Sequence, residues 1–412
     1  ASFKWKRKLK KVLYFSLFDV GNSVFPVFVL SILTSNYFIK HIAVDPQIGS
    51  ALWQMTIGLA GLILAFVIPI IGNFSDQRFN CHQKCLRVFT LSCIVSISLF
   101  YFILPSSSHL YFSLALLFIT LFTYEASNTF YNATLRTIGR QNNVSKISHF
   151  GWGAGYFGGF FMILIILTFF ASPDNLFKIS TDNQLNVRLA HVACALWFLI
   201  FASPLMFMDI SQNTQKKDNL NFLSKIKITI FKDKLTNTGR FLVARMLYAD
   251  GLVVAIAGLG IFASTVINLS YEELLLLALM INISGGVGCF IMAFLKTSDK
   301  KILMISLLIV AIIVLLMSMS TNKIYFIFLV CLGTFFAGPL QSASRSLMSN
   351  LMPHEAQGIG FGLFTASGKA TAFIGPLLSA ILTFYISQRV GYGFSAILLF
   401  FFFFFLMKVK TE

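Results

Sequence analysis

The sequence predicts an all-α membrane protein with twelve transmembrane helices in two related halves of six, and three observations carry that prediction. Apolar residues make up 57% of the 412-residue chain and charged residues only 11%, against roughly 25% charged residues in soluble domains. Twelve stretches reach the length of about 20 apolar residues that crosses a bilayer as a helix. Polar and glycine signatures of the first six stretches recur in the last six.

The stretches lie near 12–37, 50–73, 85–104, 109–135, 147–172, 188–208, 241–266, 273–295, 302–320, 323–349, 358–386 and 389–408. The first follows a basic segment from Lys4 to Lys11. It is longer than a secretory signal core and lacks a clear cleavage site, so it reads as a retained helix. The second runs into Gly72-Asn73-Phe74-Ser75-Asp76-Gln77-Arg78, and the third follows Cys81-His82-x-x-Cys85. That short loop offers at most three ligands, and plain thiols are the better reading than a metal site. The fourth carries Glu125, Asn128, Asn132 and Arg136, spaced by three, four and four residues and therefore on one helix face.

The fifth opens on Gly151, Gly153, Gly155, Gly158 and Gly159. With no strand before it, this is a helix-packing surface and not a dinucleotide fingerprint. Trp53, Trp152 and Trp197 read as packing or interface residues. The sixth ends before the longest polar stretch, 211–240, which contains Gln212 to Asn219 and then an amphipathic segment from Phe222 to Phe231. That segment either lies flat on the membrane surface against anionic lipid or is a solvated linker.

The seventh carries Arg245, Asp250 and Gly251, echoing Asp19-Val20-Gly21 in the first. The eighth and ninth flank the basic loop Lys296 to Lys301. Gln341, Arg345 and Ser349 line one face of the tenth. Thr365 and Lys369 do the same in the eleventh, which opens on Gly358, Gly360, Gly362, Gly368 and Gly375. The twelfth ends in Phe400 to Phe405, lipid-facing bulk.

A net charge of +17 does not mark a nucleic-acid binder, because Lys and Arg cluster on alternate loops. The positive-inside rule then puts both termini in the cytoplasm. The six cysteines fall in helices or on that same side, giving no extracellular disulfide framework. The expected division is an N-terminal half, 1–210, a cytoplasmic linker, 211–240, and a C-terminal half, 241–412. This is the layout of the major facilitator fold, with a central solute site where the halves meet.

Charge inside the hydrocarbon layer costs about 2.5 to 3.5 kcal/mol per residue on insertion scales, which points to a protected cavity. Asp19, Asn22, Glu125, Asn128, Arg245, Asp250, Gln341 and Lys369 are the candidates for solute binding or ion coupling. Poor solvation disfavours a carboxylate's charge, so Asp19 and Glu125 are the candidate proton carriers. Lys369 and Arg245 suit an anionic group on a solute, or pair with Asp19, Asp250 and Glu125 when the site is empty. Gly72 to Arg78 resembles a cytoplasmic loop signature of major facilitators, and that resemblance implies an inner gate at Asp76 and Arg78, with Asp76 against a helix N-terminus, where negative charge is favoured; a simple loop carboxylate is the alternative. Arg136 and Arg345, near cytoplasmic helix ends, are expected at the gate or against lipid headgroups.

Leu17-Phe18-Asp19-Val20-Gly21-Asn22-Ser23, Tyr248-Ala249-Asp250-Gly251, Gln341 to Ser346, Phe361 to Lys369, and Gly151 to Gly159 resemble motifs of one family. It is the major facilitator family of the autophagy-related vacuolar amino-acid effluxers of fungi and their bacterial relatives. The resemblance implies a secondary transporter and not an enzyme, moving a small solute, an amino acid among the candidates, with efflux suggested by the fungal members. The repeated halves and the cavity charges add the expectation of a polar or zwitterionic solute moved with protons and no cofactor. The expected setting is a multi-pass monomer among the lipids of a bacterial inner membrane. A lipid or lysolipid transporter of the same fold is the alternative. A membrane-embedded transferase is disfavoured, because the six histidines are scattered without metal-ligand spacing.

Overall fold

The computed structural model describes residues 2–78, 81–171, 175–210, 221–401 and 403–410. Gln212 to Asn219 of the central stretch lie outside the described residues. Twelve helices are long and apolar enough to cross a membrane: span 1 (Leu9–Ile42), span 2 (Pro46–Asp76), span 3 (Cys81–Phe102), span 4 (Ser107–Gly139), span 5 (Asn143–Phe170) and span 6 (Asp182–Phe207), then span 7 (Asn237–Thr265), span 8 (Glu272–Phe294), span 9 (Asp299–Met319), span 10 (Lys323–Leu351), span 11 (His354–Tyr385) and span 12 (Gln388–Met407). All twelve expected stretches are helical, and most helices run a few residues beyond the apolar segment. Helix caps account for some of these extensions: Asp45 accepts from the amides of Gln47 and Ile48 before span 2, and Ser270 forms a capping box with Glu273 before span 8.

Of the two largest hydrophobic cores among the described residues, one forms from spans 1–6 around Phe15, Phe18, Phe130 and Phe198, the other mainly from spans 7–12 around Phe241, Phe262, Phe326 and Leu399, with smaller clusters around Trp53 and around Leu64 in the first half. The short helix Phe222–Ile230 lays Phe222, Ile226 and Ile230 against the second core. It leads into a two-residue hairpin, Phe231–Lys232 with Lys234–Leu235, which adds strand to an otherwise helical chain.

Glycines set how the halves meet. Gly72 of span 2 touches the backbone of Gly358 in span 11, and a Cβ on Gly362 would lie 2.7 Å from Pro69 Cα. Spans 5 and 8 mesh in the same way, Phe290 over Gly153 and Tyr156 over Gly285. Only residues without side chains let backbones approach this closely.

Span 11 is broken. Its inner part, Gln357–Lys369, packs along span 2, then the chain turns through 370–373, and its outer part, Ile374–Tyr385, packs on spans 7 and 12. The named contacts with span 2 stop at Gly61 beside Lys369, and beyond that level Met55, Leu59, Phe373 and Leu377 are exposed. The halves therefore close on the face that carries the chain ends and part toward the opposite face. Span 1 also departs from regular α-helix, as a π-helix over Phe25–Ile32 with Pro26 at its start.

Candidate functional site

Between the halves lies a cavity of about 490 Å³ lined by spans 1, 4, 5, 7, 8, 10 and 11. Its polar residues form two tiers of ion pairs, and each pair joins one half to the other.

The deeper tier centres on Arg345. Its Nη1 lies 3.0 Å from Asp19 Oδ2, its Nε donates to Ser148 Oγ at 2.9 Å, and its Nη2 donates to the Ser148 carbonyl at 2.7 Å. Tyr131 donates to the same Asp19 oxygen at 2.6 Å, and the rings of Phe15, Tyr131 and Trp152 surround the guanidinium. Asp19 comes this close because Gly155 in span 5 accepts its backbone. A buried pair persists only when its remaining donors and acceptors are satisfied, and Ser148 and Tyr131 supply that.

In the second tier, Lys369 Nζ meets Glu125 Oε1 at 2.6 Å, with both side chains partly exposed to the cavity. One turn further along span 4, the Thr129 hydroxyl bonds Thr365 at 2.8 Å. Asn22 donates to Asn128 at 2.9 Å, and Gln341 lies in the wall. Arg245 stacks its guanidinium 3.5 Å over the Phe364 ring.

On the closed face, Asp76 accepts from the amides of Gly358 at 2.8 Å and Ile359 at 2.7 Å, with His82 Nε2 2.7 Å from its Oδ1. A carboxylate on a helix's first free amides is favoured both by hydrogen bonding and by the helix dipole. It ties span 2 to span 11. Arg136 donates to Asn350 at 2.7 Å, and Asn350 donates to Asp299 at 3.3 Å, tying span 4 to spans 9 and 10.

Seven of the eight residues expected at the solute site line this cavity: Asp19, Asn22, Glu125, Asn128, Arg245, Gln341 and Lys369. Asp250 does not. Two residues past the cavity-lining Tyr248, it falls about 200° around the helix and is buried where span 7 meets Gly375 of span 11, with Oδ1 unpartnered. Of the four expected at the gate, Asp76 and Arg136 bridge the halves. Arg78 instead lies exposed over the Phe74 ring, because the chain has already turned outward past the end of span 2. Arg345 is placed deeper than expected, on the cavity wall and buried, two turns of helix above the end of span 10.

Sequence reasoning missed Tyr131, Ser148 and the Thr129–Thr365 bond, and it took Trp152 for packing although that ring borders the cavity. Thr129 stands four residues after Glu125, so its place on the polar face was readable. Tyr131, three residues after Asn128, was readable in the same way, whereas Ser148 belongs to no polar stripe identified in span 5.

Residues 49–412 match the family model described as "Vacuole effluxer Atg22 like". The chain is 25% identical over 415 residues to the "Uncharacterized MFS-type transporter YxiO" of Bacillus subtilis, covering 96% of this chain and 93% of that protein. It is 24% identical over 264 residues to Autophagy-related protein 22 of Kluyveromyces lactis, covering 57% of this chain and 52% of that relative. The match thus spans about half the length of the fungal protein. Among solved structures, the transporter FucP in its outward conformation superposes with a TM-score of 0.73 at 15% identity, covering 98% of this chain and 99% of that one. The proton:xylose symporter XylE superposes with a TM-score of 0.73 at 14% identity, covering 99% and 96%. These likenesses establish the major facilitator fold.

Proposed function

Because the chain belongs to the vacuole effluxer Atg22-like family of major facilitator transporters, we propose that it moves a small polar solute by proton-coupled alternating access. An amino acid is the first class to try, and efflux is the direction that the family description suggests. The halves 1–210 and 241–412 rock about the cavity, joined by the linker 211–240, with the termini in the cytoplasm of a bacterial inner membrane and the protein acting as a monomer.

One observation carries this reading. Both acids of the cavity come from the first half and both of their bases from the second, Asp19 with Arg345 and Glu125 with Lys369. Opening the closed face pulls each pair apart, and separating a buried pair leaves charges that cost several kcal/mol each. A proton on either acid removes the charge that must be separated. Solute and proton therefore act on the same contacts, which is the requirement for coupling. Glu125, partly exposed to the cavity, is the better placed to exchange a proton, while Asp19 lies sealed beneath Tyr131 and Arg345. Asp76 and Arg136 hold the gate shut in this state. That two fold neighbours are proton symporters accords with the coupling.

The test is uptake and counterflow in proteoliposomes across an amino-acid panel, with and without an imposed pH gradient. Solute movement that ignores the gradient would remove the coupling. No movement of any solute in either direction would remove the solute assignment.

A further inference from the structure

The cavity holds more positive charge than its acids can match. Its ionisable wall residues are Asp19, Glu125, Arg245, Arg345 and Lys369, two acids against three bases. Both acids are already engaged, and among the described residues Arg245 forms no ion pair. Its guanidinium rests on Phe364 with Nε buried and unpartnered, held beside Gly368, where a side chain would collide with Nη1. Asp250, on the same helix, faces Gly375 and is not bonded to Arg245. A second observation agrees. Of the buried polar atoms without partners, those on cavity-lining residues are Arg245 Nε and Trp152 Nε1, and both are donors. The wall thus carries a surplus cation, and its unpartnered buried atoms are donors that favour negative charge nearby, but it has no free carboxylate for an ammonium group.

Resting on the transport reading above, we propose that the solute carries one net negative charge and that Arg245 anchors its carboxylate. The fitting class is water-soluble monoanionic carboxylates, namely hydroxy acids, keto acids or an acidic amino acid. A planar guanidinium fixed on an aromatic ring presents paired N–H groups that match a carboxylate's two oxygens. A neutral amino acid would satisfy Arg245 but leave its ammonium to compete with Lys369 for Glu125.

The experiment measures binding to the full-length protein by thermal shift, and counterflow in proteoliposomes, over isosteric sets differing in charge. Glutamate is compared with glutamine, 2-hydroxy-4-methylpentanoate with leucine and leucinamide, and lysophosphatidylglycerol serves as an anionic lipid. The anionic carboxylates should bind at least tenfold more tightly than their neutral partners, and leucinamide not at all. Arg245→Gln should erase that preference without lowering the melting temperature of the unliganded protein, since Arg245 donates no hydrogen bond to the fold; Arg245→Lys should retain part of it. Equal binding of neutral and anionic partners overturns the proposal, as does an Arg245→Gln variant that keeps its preference, or binding of the lipid with none of the carboxylates. If leucine is moved while no anion binds, transport stands and the charge assignment falls. If no compound binds or moves, both fall.

Discussion

Replacing Asp19 by Asn should open the closed face. The substitution keeps the side chain's shape and leaves an oxygen to accept from Tyr131, but it removes the charge that faces Arg345 at 3.0 Å. Breaking one partner of a buried pair costs about 3 to 5 kcal/mol. Because this pair joins the halves and the Asn side chain can still accept from Tyr131 of the first core, most of the loss should fall on the closed conformation and little on the folding of either half. At about 1.4 kcal/mol per decade, the closed-to-open ratio should fall roughly a hundredfold to several thousandfold. Hydrogen exchange with mass spectrometry reads this directly. The amides of Gly358 and Ile359, bonded to Asp76 across the closed face, should lose protection by factors of that order, while the outer part of span 11, Ile374–Tyr385, should not change. Adding Arg345→Gln removes the orphaned cation and should restore part of the protection. Unchanged exchange at 358–359 in Asp19→Asn, or equal loss in the single and double variants, would refute the argument that this pair holds the halves together.

Glu125→Gln should abolish solute movement driven by a pH gradient while leaving counterflow within a fewfold of the parent, because exchange of solute needs no net proton transfer; a retained gradient response would reassign the coupling. Gly362→Ala puts a methyl 2.7 Å from Pro69 Cα, so it should wedge spans 2 and 11 apart and raise exchange at 358–359 with little change in melting temperature. Asp250→Asn should leave solute affinity within about twofold, a change of a few tenths of a kcal/mol, since Asp250 is outside the cavity wall; a tenfold loss measured by titration would return it to the site.

Composition and hydropathy made the twelve helices legible because lipid forces every spanning segment to be long, apolar and internally hydrogen-bonded. Most of the cavity was legible for a related reason: a charge is kept inside such a segment only where something receives it. What stayed hidden was pairing. The sequence shows that Asp19, Glu125, Arg345 and Lys369 are all stranded, but which acid meets which base depends on how the halves close. Asp250 was misread because, although spacing sets it on a different face from Tyr248 and Arg245, hydropathy alone does not tell which face of span 7 meets the cavity and which meets Gly375. Arg78 was misread because a loop motif fixes order along the chain and not direction in space. Asp76 does sit on the end of a helix, as the resemblance of Gly72 to Arg78 to a major facilitator signature implied, and the free amides of that helix's first turn are what receive it.

The break in span 11 turns that helix into a lever with its fulcrum one residue beyond Lys369. Its outer arm of twelve residues, Ile374–Tyr385, is about 18 Å long at 1.5 Å per residue, so a tilt of about 10° at the break carries its tip by about 3 Å. The charge of Lys369 lies close to the pivot, where displacement is least, and the inner arm is clamped to Asp76. A tilt that accompanies making or breaking the Glu125–Lys369 pair would therefore be felt most at the far end of the outer arm. On the alternating-access reading proposed above, the stroke at the mouth depends on where the helix is broken, and the break follows directly on the cavity residue Lys369.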